Sequence, residues 1–240
     1  MVPVSKLVLL PGMDGTGELF LPLIEALPRQ FETQIVRYPG NEPHSYTALA
    51  HFVESSASST TPFILVAESF STPLAIEWAA TNPPNLKGLA LCAGFASSPV
   101  SGPLRFAVSC LAPLLFLANP SSMVMQLLLL GPNAPIETIA AVQSAISSVK
   151  PSVLAERLRN VLQCDVRRAM KRVTVPILLV NPGEDKLVGK AKLDEMRRIA
   201  PSATVETIRG PHLLFQREPL KSAEVIAAFA SRCLLSHVVP

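Results

Sequence analysis

At 240 residues the chain is long enough to bury one large core, and a single α/β domain is the default expectation. Apolar residues make up 49% and charged residues only 16%, a balance that excludes a disordered chain or one that wraps nucleic acid. The net charge of +3 is too small for general polyanion binding.

Residues 1–6 hold no basic region followed by a cleavable apolar stretch, so no signal peptide is expected and the location is read as cytoplasmic. Residues 7–10 form a short apolar strand that runs into Pro11-Gly12-Met13-Asp14-Gly15-Thr16-Gly17. Three glycines in six residues mark a backbone that comes close to something. Residues 19–27 have helical spacing, so the loop is either a tight strand-to-helix connection or a set of N–H groups turned toward an anion. It is not a phosphate-binding P-loop, because the Gly-Lys-Ser/Thr ending is missing. A second strand at 34–36 closes on Tyr38-Pro39-Gly40, a helix covers 46–54, and 55–61 is a small polar linker.

The run Phe63-Ile64-Leu65-Val66-Ala67-Glu68-Ser69-Phe70-Ser71 then reads as strand and sharp turn, with Leu74, Ile76 and Trp78 beginning a buried helix. A serine at such a turn adopts a strained backbone that lifts its hydroxyl clear of the sheet, and its neighbours two positions away must be small. Ala67 and Ser71 are small, where the usual motif has glycine at both places. Glu68 is expected to make a polar contact under the turn. A further strand occupies 88–92, and strands alternating with helices at this rhythm imply parallel βαβ units.

From 97 to 168 the rhythm breaks into helical pattern interrupted by prolines, read as a lid inserted between core segments 1–96 and 169–240. No charged residue occurs from 106 to 135, yet Pro113, Asn119, Pro120, Ser121 and Ser122 divide that run into pieces shorter than the roughly 20 apolar residues of a membrane span. An apolar lid over 106–130 is expected instead, and contact between it and a membrane surface stays open. Its second half is basic, with Arg157, Arg159, Arg167, Arg168, Lys171 and Arg172. These are read as a solvated helix face in preference to a docking patch for an acidic partner. Strands return at 175–180 and 204–208, the first followed by Glu184 and Asp185, the second by Gly210-Pro211-His212, and a last helix starts near Pro219. Cys92, Cys110, Cys164 and Cys233 contain no Cys-x-x-Cys pair and are read as reduced thiols, with no metal or cofactor implied.

Ser69, the 12–17 loop, Asp185 and His212 each directly follow a predicted strand, and that edge of a parallel sheet is where ligand sites form. The chain resembles an α/β-hydrolase of the small, lid-bearing esterase kind. The resemblance rests on Pro11-Gly12 with its loop, Tyr38-Pro39-Gly40, Ala67-Glu68-Ser69-Phe70-Ser71, Asp185-x-x-Val188 and Gly210-Pro211-His212. It departs in Ala67 and Ser71, in the missing His-Gly start of the glycine loop, and in having no strands before Leu7. The resemblance implies a shortened, mostly parallel sheet of about six strands with a helical lid. It implies Ser69 as nucleophile, His212 as base and Asp185 as its partner, with Glu184 a rival, and the backbone N–H groups of Met13 and Phe70 as an oxyanion hole. The expected function is a serine carboxylesterase for small-molecule esters with apolar groups. Two alternatives stand beside it: an acyltransferase or hydrolase of acyl-carrier and acyl-thioester substrates, and a non-catalytic binding protein on the same fold.

Overall fold

The computed structural model describes residues 5–57, 61–100, 102, 108 and 126–235. Its strands are β1 (Ser5–Leu10), β2 (Phe31–Ile35), β3 (Phe63–Glu68), β4 (Leu86–Cys92), β5 (Ile177–Pro182) and β6 (Thr204–Ile208). They form one sheet in the order β2-β1-β3-β4-β5-β6, every pair parallel. The helices are α1 (Leu21–Ala26), α2 (Tyr46–Ala57), α3 (Thr72–Ala79), α4 (Ile136–Ser147), α5 (Pro151–Gln163), α6 (Arg167–Met170), α7 (Gly189–Ile199), α8 (Leu214–Arg217) and α9 (Pro219–Leu235).

The central strands are apolar almost throughout because both faces of the sheet are covered. Val8, Leu65, Leu89 and Leu179 point into one core with Leu49 and Val53 of α2, Leu74 and Ile76 of α3, and Met196 of α7. Their neighbours Leu7, Ile64, Val66, Ala90 and Leu178 enter the opposite core with Leu23 of α1 and Ile226 and Phe229 of α9. β2, an edge strand, is far less buried after Phe31, in keeping with its polar Glu32, Thr33 and Gln34. It spans Phe31–Ile35 where 34–36 was expected, although the Val36 N–H still bonds to Leu9 O at 2.9 Å.

Sheet growth reverses at β1: β2 lies on one side of it and β3 on the other. Leu10 is in register with Ala67, so the glycine loop and the serine turn leave the sheet side by side at this switch point. Other differences are local. Residues 18–20 form a 3-10 turn before α1, α2 runs on to Ala57, and the four-residue α8 has no counterpart in the sequence reading.

Between β4 and β5 the regular elements among the described residues are a π-helical turn at Gln126–Leu130 followed by α4, α5 and α6, joined by non-helical stretches. A single antiparallel bridge joins Ser97 to Asp165, bringing the two ends of this stretch together. The expected apolar lid at 106–130 lies outside the described residues except for Val108 and Gln126–Leu130. One expectation is corrected here: Arg157 does not belong to a solvated face. It is 1% exposed, one of the largest buried side chains of the molecule. No helix among the described residues is long and apolar enough to cross a membrane.

Candidate active site

Ser69 follows β3 with φ 48°, a left-handed conformation unfavourable for a residue bearing a Cβ. The turn is held from several sides. Thr72 Oγ1 donates to Ser69 O at 2.8 Å, and Tyr46 donates its hydroxyl to Phe70 O at 2.7 Å. Ala67 and Ser71 are fully buried, so the space left by glycine in the usual motif is filled here. Ser71 does more than fit. Its hydroxyl donates to Pro11 O, an acceptor only, so the 2.8 Å contact with Tyr38 must have the phenol as donor.

Ser69 Oγ lies 2.7 Å from His212 Nε2, and His212 Nδ1 lies 2.8 Å from Asp185 Oδ2. The side chains of His212 and Asp185 are almost fully buried. Burial works to raise the Asp185 pKa, but His212 and the N–H groups of Leu187 and Val188 outweigh it and hold the carboxyl below its ordinary range. An ionised Asp185 only accepts hydrogen bonds, so the imidazole proton sits on Nδ1 and leaves Nε2 free to accept from the serine. Glu184 points elsewhere, into a surface ion pair with Arg209 at 2.9 Å. His44 and His51 make local contacts, with Glu42 O and Glu54, and His237 lies outside the described residues.

A cavity of about 180 Å³ adjoins Ser69, His212, Gly12 and Met13, with walls of Leu19, Leu129, Val142, Ile146, Leu154 and Leu213. These walls come from the glycine loop side, the π turn, α4, α5 and the loop bearing His212. A larger hollow of about 650 Å³ beside Arg197 and Pro201 holds none of Ser69, Asp185 or His212. Phe70 is fully buried, its ring 5.0 Å from that of Tyr46 and edge-on to Tyr38 at 6.2 Å.

Beneath the turn, Glu68 is 1% exposed and meets Gln216 Nε2 at 3.4 Å, the polar contact expected there. Burial, with Asp14 adding to it, pushes the Glu68 pKa up to about 8. Its Oε1 and Gln216 Oε1 are buried and find no hydrogen-bond partner among the described residues. Gln216 and Arg157 were not foreseen. The helical spacing of Val153, Leu154, Arg157 and Val161 puts the arginine on the apolar face of α5, a signal the basic run around it masks.

A profile described as "Alpha/beta hydrolase family" matches residues 7–225. A "Pimeloyl-[acyl-carrier protein] methyl ester esterase" from Xanthomonas oryzae pv. oryzae is 26% identical over 218 residues, which cover 85% of this chain and 86% of that protein. Among solved structures, an esterase (EaEST) from Exiguobacterium antarcticum superposes with a TM-score of 0.84 at 15% identity, covering 95% of this chain and 92% of that one. A thermophilic esterase from Thermogutta terrifontis does so with a TM-score of 0.79 at 18% identity, covering 95% and 90%.

Proposed function

The chain belongs to the alpha/beta hydrolase family, and on that premise we propose that it is a serine carboxylesterase acting on esters with an apolar group, through an acyl-enzyme on Ser69. The observation that carries this reading is the unbroken relay from Ser69 Oγ through His212 to Asp185, set against an apolar cavity. His212 Nε2 takes the serine proton as the oxygen attacks the ester carbonyl, and Asp185 stabilises the imidazolium that forms. The N–H groups of Met13 and Phe70 receive the oxyanion of the tetrahedral intermediate. His212 then protonates the departing alcohol, and water, deprotonated by the same imidazole, releases the acid. Residues 97–168 serve as the cover of the pocket, a reading supported by the wall residues that α4 and α5 contribute.

Hydrolysis of p-nitrophenyl esters of graded acyl length tests this, with Ser69→Ala and His212→Ala as controls. We expect each variant to lose at least about a thousandfold in kcat, and Ser69 to be the residue that a fluorophosphonate probe labels. Variants as active as wild type would sink the reading.

A second reading, an ester whose acyl group rides on a carrier protein, is favoured by the Xanthomonas relative, whose name states such a substrate. Its signature is a rate on carrier-bound ester that falls as salt rises, beside a salt-independent rate on free ester.

A further inference from the structure

Five consecutive carbonyls of the glycine loop are each engaged. Ser71 donates to Pro11 O, the Gly15 N–H to Gly12 O at 3.1 Å, and the Tyr38 N–H to Gly15 O at 2.9 Å. The two at the centre of the turn, Met13 O and Asp14 O, both accept from Arg157 Nη1, at 2.8 and 2.7 Å. Arg157 Nη2 donates to Pro39 O at 2.9 Å, tying in the loop after β2. The guanidinium stands 5.8 Å from the Tyr38 ring centroid and 6.0 Å from that of Phe70. It packs so close to Gly15 that a Cβ there would meet Nη1 at 2.6 Å.

Burying a charge on carbonyls alone is costly. Among the described residues no carboxylate hydrogen-bonds this guanidinium, and the nearby Asp14 supplies only through-space attraction. The arrangement makes sense if the turn it holds must not move. A trans peptide points its C=O and N–H in opposite directions. Fixing the Gly12 carbonyl inside the turn therefore aims the Met13 N–H away from it, and the turn keeps that aim only while its central carbonyls are held. Arg157 holds both, and it comes from α5, in the segment inserted between β4 and β5.

We propose that Arg157 is a positioning residue for the oxyanion site: it clamps the Met13–Asp14 turn from the inserted helix, so that oxyanion stabilisation depends on α5 being seated on the sheet. This rests on the serine hydrolase reading above. Two variants test it: Arg157→Met keeps the apolar stem and removes the donors, and Arg157→Lys keeps the charge and loses the fork. Their kcat and KM on a p-nitrophenyl ester are measured, with the inhibition constant of a trifluoromethyl ketone, which must form an oxyanion on Ser69 to bind tightly, and circular dichroism to verify the fold. For Arg157→Met we expect kcat to fall about a hundredfold and the ketone to weaken by a similar factor, with KM within about threefold of wild type. Arg157→Lys should fall between, and it decides the matter alone if the methionine variant does not fold. A folded variant that keeps its kcat, or one that loses kcat while binding the ketone as tightly as wild type, overturns the proposal. Wild type inert toward both ester and fluorophosphonate would remove the parent reading and this one with it, whereas an active wild type with unimpaired variants removes only this one.

Discussion

Ser69, the proposed nucleophile, also carries backbone strain. Its φ of 48° costs a side-chain-bearing residue on the order of 1 kcal/mol or more relative to glycine. Ser69→Gly should therefore unfold at a higher temperature than Ser69→Ala, by about 1 kcal/mol of stability, while both are inactive; paired thermal melts and ester assays measure this. Asp185→Asn should keep the fold and lose about 10³- to 10⁴-fold in kcat, because an amide in place of the carboxylate permits the wrong imidazole tautomer. Glu68 predicts a pH effect whose sign is set by its raised pKa. The folded chain keeps the proton up to about pH 8, whereas the unfolded chain releases it near its ordinary 4.5, so this group favours folding most below that value and loses the contribution as pH rises through the window. Melting temperature against pH should fall more steeply across this range in wild type than in Glu68→Gln, and equal slopes would refute the assignment. The meeting of Ser69, Asp185 and His212 was legible in the sequence because each lies just after a strand of the parallel sheet, at the edge where those loops collect. The pairing of Glu68 with Gln216 was only half legible, since nothing local in the chain announces a partner on the unforeseen α8.

Among the elements, α5 shows where sequence reading fails and why. A run containing Arg157, Arg159, Arg167 and Arg168 reads as solvated by composition, yet Arg159 pairs with Glu156 near the surface while Arg157 is enclosed. Charge counts describe a stretch, and burial is decided by which side of a helix a residue occupies. The glycine loop adds a second case. Its glycines mark a backbone that comes close to something, and at Gly15 that neighbour is the Arg157 guanidinium. Gly15 also has φ 68°, so Gly15→Ala is opposed by backbone and guanidinium together. It should lower stability by at least about 1 kcal/mol, read from the urea midpoint, and should reduce kcat in the same direction as Arg157→Met. The strands were the most legible elements, with β6 matching residue for residue, while β2 starts three residues earlier because Phe31, its one buried position, lies ahead of the polar Glu32, Thr33 and Gln34.

For the molecule as a whole, six parallel strands collect loops from distant parts of the chain at one edge, and the cavity they enclose is walled mainly by aliphatic side chains. Each methylene of an acyl chain buried there is worth about 0.8 kcal/mol, so kcat/KM should climb about fourfold per added carbon until the cavity is filled and then level off. A flat series would contradict an apolar acyl site. The same architecture has a consequence in time. Ser69 and His212 are 143 residues apart, and a ribosome delivers the chain from its N-terminus. Nascent β1 and β3 can bring serine turn and glycine loop together long before the imidazole leaves the exit tunnel. On the proposed reading, the nucleophile waits through those 143 residues for its base, so a nascent chain that already holds the serine turn and the glycine loop is still without its relay.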